Sequence, residues 1–130
     1  MENFKKKVLI VEDDKLLALV EERLIERLGY EVAGNATTGE DALKMIDELD
    51  PDILVVDISL KGEMDGVETI KRLRKHSSVP VIFLSGNSDK FNYERARKVG
   101  FVDYLVKPVT AQQLEAPLQQ AASEAFRIPA

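Results

Sequence analysis

The sequence contains no cysteine and no tryptophan, and its single histidine is His76. Without cysteine the chain can form no disulfide, no thiolate metal site and no cysteine nucleophile, and it has no need of an oxidising compartment. We expect His76 to be a solvated residue at a helix end rather than a ligand, because it follows Arg74 and Lys75.

Long apolar segments and an excess of positive charge are also missing. The first apolar run ends at Val11 and meets Glu12, which is too soon for a signal peptide or a membrane span. We therefore expect an untargeted cytoplasmic protein with no membrane partner. The net charge of -5 and the pI near 5.0 argue against direct nucleic-acid binding. We expect the basic stretch 71–75 to be a solvated helix face.

Short apolar runs alternate with segments of helical periodicity along the chain. The 130 residues, 45% of them hydrophobic, are enough for one domain with its own core. The alternation predicts strand–helix units, a parallel sheet covered on both faces, and right-handed crossovers in a three-layer α/β sandwich. The predicted strands are residues 8–11, 31–34, 53–56, 81–84 and 102–106.

Apolar spacing and capping residues bound the predicted helices. The first is expected to turn these residues inward: Leu17, Val20, Leu24 and Leu28. The second should begin near Thr38 and end before Asp50, and Thr110 with Gln113 has the spacing of a capping box for the last helix. Pro117 lies inside that last helix, where it removes a donor and clashes with the preceding turn. We expect the helix to kink or restart there.

Charged and polar side chains directly follow four of the predicted strands. They are Glu12 and Asp13 after the first, Asp57 after the third, Ser85 after the fourth and Lys107 after the fifth. Ligands of open parallel sheets bind at the carboxyl ends of the strands, so we expect these residues to line one acidic crevice. Neighbouring carboxylates repel each other unless a cation offsets their charge. Oxygen donors without cysteine favour Mg²⁺ over a softer transition metal.

This set of residues resembles the receiver domain of response regulators over roughly residues 6–124. In that family an acidic pair ends the first strand, a phosphoacceptor aspartate the third, and a Ser or Thr the fourth, and a Lys-Pro pair follows the fifth. The matching residues are Glu12, Asp13, Asp57, Ser85, Lys107 and Pro108. Tyr104 matches an aromatic three residues before the lysine, and Asp65-Gly66 follows the acceptor loop.

The resemblance implies a doubly wound, flavodoxin-like sheet of five parallel strands in the order 2-1-3-4-5, with five helices. Residues 1–5 would be an N-terminal extension, residues 6–124 the receiver domain, and residues 125–130 a tail or the start of a linker. The acceptor loop 58–66 departs from the family pattern because it lacks the common proline and is a residue longer than the commonest version. Kinase recognition is therefore open at this loop.

The resemblance also assigns a role to each carboxylate. Asp57 would attack phosphorus in line and become an aspartyl phosphate. Asp13 and Asp57 would bind Mg²⁺, or Mn²⁺ in its place, with the backbone carbonyl of Ser59 as a third protein ligand. Glu12 would act on the ion directly or through water.

The remaining residues would handle the phosphoryl group and the output. Lys107 would pair with Asp57 and then with a phosphoryl oxygen, while the Ser85 hydroxyl and the Gly86 backbone would donate to other oxygens. If Ser85 moves toward the phosphoryl group, Tyr104 can rotate from exposed toward buried. The face made by the fourth helix, fifth strand and fifth helix would then differ between two states whose populations phosphorylation shifts.

The function implied is that of a two-component phosphorelay receiver. It would take its phosphoryl group from a histidine kinase or a phosphotransfer protein and signal to a downstream protein or a linked effector domain. It would not be a conventional enzyme, since it would catalyse only its own phosphorylation and dephosphorylation. A homodimer through the output face is left open, because Pro117 lies in the last helix of that face.

Other readings of the same residues remain. A haloacid-dehalogenase-like phosphatase usually places its nucleophile after the first strand in an Asp-x-Asp arrangement, which Glu12-Asp13-Asp14 does not provide. A flavodoxin-like electron carrier would need a phosphate loop where these carboxylates stand. A pseudo-receiver would act only as an interaction module. Residue by residue, the acidic run could instead cap a helix, and Ser85 could make a local turn bond.

Overall fold

The computed structural model describes residues 5–124, in which five strands alternate with five helices. The strands are β1 (Lys7–Val11), β2 (Glu31–Ala36), β3 (Ile53–Asp57), β4 (Val81–Ser85) and β5 (Asp103–Val106). The helices are α1 (Lys15–Arg27), α2 (Gly39–Leu49), α3 (Gly66–Leu73), α4 (Lys90–Val99) and α5 (Ala111–Glu124). All strand pairs are parallel, in the order β2-β1-β3-β4-β5, which confirms the predicted fold.

Two apolar layers lie on opposite faces of the sheet. The layer under α2, α3 and α4 includes Phe83 and Ile70, and the layer under α1 and α5 includes Ile82 and Leu118. Every residue of β3 and β4 is buried, because both faces of these central strands are covered by helices. This is why their sequences read as unbroken apolar runs.

The first helix turns a different face inward from the one predicted. Val20 is 48% exposed, whereas the buried residues of α1 are Ala18, Glu21 and Ile25. Residues 16–20 are all apolar, so their spacing does not single out one face. The helix is rotated about its axis by one residue position (~100°) relative to the predicted orientation. The prediction for Val20 was therefore wrong, while Leu24 and Leu28 pack partly against the core.

The last helix continues through its proline. Pro117 is buried within α5, and the helix runs from Ala111 to Glu124 without interruption. Its ring lies on the same buried face as Leu114 and Leu118, and this apolar burial offsets part of the cost of the lost backbone hydrogen bond. The predicted restart was wrong. The capping box is confirmed, since Gln113 N donates to Thr110 Oγ1 at 3.2 Å and Thr110 N to Gln113 Oε1 at 2.9 Å.

Smaller differences concern strand ends and the basic stretch. β2 extends two residues beyond the predicted end, and β5 begins one residue later than predicted. Within 71–75, Arg74 is half-buried and donates to three backbone carbonyls, so it is not part of a solvated face. His76 is exposed, as predicted.

Residues 1–4 and the predicted tail 125–130 lie outside the described residues. None of the helices between residues 5 and 124 combines the length and the apolar character that a membrane crossing requires.

Candidate functional site

The sheet brings the predicted site residues to one edge, beyond the carboxyl ends of its strands. Carboxylate oxygens of Glu12, Asp13 and Asp57 all lie within 4.8 Å of one another. Lys107 reaches two of these carboxylates from the end of β5. Ser85 ends β4, where its neighbour Leu84 pairs with Asp57. The predicted crevice is therefore present, and acidic.

Asp57 is the last residue of β3, and only 2% of its surface is exposed. Its Oδ2 accepts a hydrogen bond from Lys107 Nζ at 2.9 Å, and its Oδ1 accepts one from the backbone N–H of Ser59 at 3.1 Å. These two donors fix the carboxylate and compensate for its burial.

Lys107 is held between two carboxylates. Its backbone N–H donates to the carbonyl of Ser85 at 2.7 Å, and its Nζ also donates to Glu12 Oε1 at 3.3 Å. Burial alone would lower the pKa of Lys107, but the hydrogen bond and charge of Asp57, together with the charge of Glu12, raise that pKa above its ordinary value. The ammonium therefore stays charged at neutral pH.

The three acids that follow β1 differ in their burial and in their contacts. Glu12 is buried, and burial together with the neighbouring Asp57 raises its pKa to about 7, although the backbone N–H of Asp14 and the charge of Lys107 oppose this. Asp13 is half-buried, and its Oδ2 accepts a hydrogen bond from the backbone N–H of Lys61 at 3.1 Å. Asp14 caps α1, so the helix-capping alternative holds for Asp14.

Ser85 forms the local turn bond that was its alternative role. Its buried hydroxyl donates to the carbonyl of Asn87 at 2.6 Å and accepts from the N–H of Asn87 at 3.3 Å. Contact with a phosphoryl oxygen would require rotation of this side chain. Beside it the crevice is open, because a Cβ added at Gly86 would meet no atom within 4 Å.

The acceptor loop is anchored at its far end by Gly66. The Gly66 N–H donates to the carbonyl of Ile58 at 2.8 Å, and a Cβ added at Gly66 would collide with the backbone carbonyl of Asp57. Asp65 caps α3 through a hydrogen bond from the N–H of Glu68. The loop between Asp57 and Gly66 is therefore fixed at both ends.

Tyr104 lies in an aromatic group on the output side of the sheet. Its ring centroid is 5.2 Å from that of Tyr93 on α4 and 5.9 Å from that of Phe101. The ring is partly buried against the core, and the hydroxyl oxygen is buried without a hydrogen-bond partner among residues 5–124. Here the side chain occupies an inward position.

Sequence reasoning missed Glu21, a carboxylate on α1 behind the crevice. Only 4% of Glu21 is exposed, and burial, followed by the charge and hydrogen bond of Glu12, raises its pKa to about 8. Its Oε1 has no hydrogen-bond partner in the described part of the chain. The available signal was its position in the helical period three residues after Ala18 and four before Ile25, but an acid at such a position is ordinarily assumed to be exposed.

Comparison with known proteins identifies the family. A sequence model of the family described as "Response regulator receiver domain" matches residues 8–119. The chain belongs to this family. Receiver domains are the signalling domains of two-component response regulators, so the resemblance inferred from the strand-end residues is confirmed.

Similar proteins include regulators of different lengths. The receiver domain is 38% identical over 104 residues to the chemotaxis protein CheY of Thermotoga maritima, covering 79% of this chain and 86% of that protein. It is 36% identical over 112 residues to the transcriptional regulatory protein AfsQ1 of Streptomyces coelicolor, covering 86% of this chain but 49% of that protein. The chain thus spans about half the length of AfsQ1.

A solved structure supports the same fold. The signal receiver domain of a modulated diguanylate cyclase from Desulfovibrio desulfuricans G20 superposes with a TM-score of 0.86 at 39% identity, covering 94% of this chain and 97% of that chain.

Proposed function

We propose that this receiver domain accepts a phosphoryl group on Asp57 in a Mg²⁺-dependent reaction, with a histidine kinase or a phosphotransfer protein as donor. The observation that carries the proposal is the buried Asp57 carboxylate, held 2.9 Å from Lys107 beside the carboxylates of Glu12 and Asp13. The domain then signals to a partner protein or a linked effector domain.

The reaction is a transfer between two nucleophiles. An oxygen of Asp57 forms a bond to phosphorus, the bond from phosphorus to the donor's imidazole nitrogen breaks, and its electron pair stays on that nitrogen. Lys107 moves from the carboxylate to a phosphoryl oxygen and continues to offset negative charge. Ser85 rotates away from Asn87 to donate to a second oxygen, and the backbone N–H of Gly86 donates to a third.

The residues present fit a hard divalent cation. All the side-chain donors are carboxylate oxygens, and three of them within 4.8 Å face a single ammonium, that of Lys107. Glu12, Asp13 and Asp57 would hold Mg²⁺ or Mn²⁺ together with the backbone carbonyl of Ser59. The bound ion would supply positive charge to the transferring phosphoryl group.

The surface beside the crevice suits a protein donor. Leu16, Leu19 and Val20 are 71%, 44% and 48% exposed and follow one another at helical spacing on α1, which begins directly after Asp14. An exposed apolar group of this kind favours contact with another protein. We place the phosphodonor against this part of α1.

The output is expected to pass through the group formed by Ser85 and Tyr104. Rotation of Ser85 toward a phosphoryl oxygen breaks its bonds to Asn87 and changes the loop that leads into α4. Tyr104 packs against Tyr93 on the same helix, so a change at this loop alters the packing of the ring. Phosphorylation then shifts the population between two arrangements of the α4–β5–α5 face.

Intact mass measurement tests the phosphoacceptor. The wild-type domain is incubated with acetyl phosphate in Mg²⁺ and in EDTA, alongside Asp57→Ala and the control Asp47→Ala, which removes an exposed acid from α2. We expect one added phosphoryl group for wild type and Asp47→Ala, only with Mg²⁺, and none for Asp57→Ala. Addition to Asp57→Ala would contradict the assignment. No addition to any protein, with no binding of beryllofluoride, would instead identify a pseudo-receiver.

A further inference from the structure

A groove of about 550 Å³ separates α3 from α4, on the face of the sheet opposite to α1 and α5. Four cationic side chains line it: Lys71 from α3, Arg74 from the C-cap of α3, and Arg95 and Lys98 from α4. Within residues 5–124, its only acidic lining residue is Glu68, and its apolar lining residues are Val67 and Val99. The positive groove is a local exception in a chain of net charge -5.

The two guanidinium groups in the groove are held differently. Arg95 donates to both oxygens of Asp65, at 2.7 and 3.1 Å, so its charge is paired. Arg74 donates from Nε to the carbonyl of Val99 at 3.2 Å and from Nη1 to the carbonyl of Val79 at 2.7 Å. Within residues 5–124, no carboxylate forms an ion pair with Arg74, and its Nη2 donates no hydrogen bond. The charge of Glu124 acts on Arg74 from a neighbouring pocket that does not include Lys71 or Lys98. Arg74 is therefore a fixed cation with donor capacity left over.

The two lysines add unpaired charge. Lys71 and Lys98 are exposed, and neither forms an ion pair with any described residue. Glu68 offsets the positive charge of the two lysines only weakly, because its carboxylate lies 3.8 Å from Arg72, a residue outside the groove. Like charges on facing helices repel each other, and an anionic ligand between them would relieve that repulsion.

We propose that this groove binds an acidic peptide segment of a partner protein. Carboxylates of such a segment would accept from Lys71, Lys98 and the free Nη2 of Arg74, while its intervening apolar side chains would contact Val67 and Val99. A peptide fits better than nucleic acid for two reasons. Among the described residues, no aromatic side chain lines the groove to stack on bases, and the acidic remainder of the chain would repel an extended phosphate backbone.

Fluorescence anisotropy with a labelled octapeptide of alternating glutamate and valine tests the proposal, with the glutamine-for-glutamate peptide as the uncharged probe. The variant Lys71→Glu/Lys98→Glu is compared with Arg23→Glu/Lys44→Glu, which makes the same charge change at exposed positions on α1 and α2. We expect the groove pair to weaken binding by at least about tenfold and the control pair by less than about threefold. Glu68→Gln should strengthen binding, since it removes the only acid of the groove.

Three kinds of result would overturn the proposal. One is equal weakening by the two charge-reversed pairs, which would indicate a general charge effect. The second is no saturable binding of the acidic peptide by wild type up to about 1 mM, or equal binding of the glutamine peptide. The third is tighter binding of a single-stranded DNA dodecamer than of the peptide. Thermal unfolding of each variant establishes that the folded protein is being compared. The increase in peptide affinity expected for Glu68→Gln does not depend on a disruptive substitution.

Discussion

Arg95 on α4 donates two hydrogen bonds to Asp65, the residue that caps α3 at the end of the acceptor loop. The bond distances are 2.7 and 3.1 Å, and each side chain is about two-thirds buried. The pair therefore connects α4 to the loop that follows Asp57.

Removal of this pair should destabilise the domain. We expect Arg95→Ala to lower the free energy of unfolding by about 1 kcal/mol at pH 7, because a bidentate and partly buried pair is stronger than an exposed one. The check is urea unfolding. Arg97→Ala removes an exposed pair with Glu94 on the same helix and should leave the unfolding midpoint unchanged. An equal shift for both variants would refute the expectation.

The contribution of the Arg95–Asp65 pair to the free energy of unfolding depends on pH. Burial would raise the pKa of Asp65, but the hydrogen bonds from Arg95 and the Glu68 N–H outweigh it and lower the pKa below its ordinary value of 3.8. A carboxyl group with a lowered pKa stabilises the folded state at pH values above its unfolded-state pKa. This stabilisation is lost as the pH falls through the folded-state pKa. The difference between wild type and Arg95→Ala should thus shrink below about pH 4.

Glu21 should make the fold less stable at higher pH. Its pKa is raised from 4.5 to about 8, so the folded protein disfavours the ionised form, and stability falls as the pH rises between those values. In metal-free buffer, Glu21→Leu is expected to raise the free energy of unfolding by about 1 to 3 kcal/mol at pH 8.5, with a smaller gain at pH 5. Urea unfolding across this range measures it. Glu26→Leu, at an exposed position on α1, serves as the control, and a pH-independent gain at Glu21 would count against the explanation.

Lys107 should matter for phosphoryl transfer more than for ion binding. We expect Lys107→Ala to slow phosphorylation by acetyl phosphate by at least about tenfold, since an ammonium 2.9 Å from Asp57 is lost from the transition state. Mg²⁺ affinity should stay equal or increase, because the variant removes a cation that competes for the same carboxylates. Intact mass measurement gives the rate of phosphorylation, and calorimetry gives the Mg²⁺ affinity. Lys90→Ala, which removes an exposed lysine, is the control. Loss of Mg²⁺ binding in Lys107→Ala would disprove this division of roles.

The hydroxyl and the ring of Tyr104 should contribute differently. The buried hydroxyl has no partner among the described residues, so Tyr104→Phe is expected to be neutral or slightly stabilising. Tyr104→Ala loses the contacts with Tyr93 and Phe101 and should cost about 2 kcal/mol. It should also remove the dependence of partner binding on phosphorylation, measured with beryllofluoride as the mimic. A fully responsive Tyr104→Ala would exclude the ring from the output.

The strand-end residues could be predicted because they depend on local signals and one topological rule. Apolar runs define the strands, and parallel pairing brings Glu12, Asp57 and Lys107 to one edge whatever their separation in sequence. The burial of Glu21 could not be read in this way, since it depends on how α1 rotates against α5. The contact of Arg74 with the carbonyl of Val99 likewise depends on tertiary packing between α3 and α4.

The close approach of Gly66 to the backbone of Asp57 divides the acceptor loop into parts with different freedom to change. Its end point tolerates no side chain, and Gly62 has a φ of 104° that disfavours other residues, whereas the side chains of Lys61 and Glu63 are exposed. Substitutions at Lys61 and Glu63 can therefore change the surface of the loop while its two attachment points stay in register. Such side-chain changes can alter what the loop presents to another protein without altering the backbone groups that contact Asp57 and Asp13.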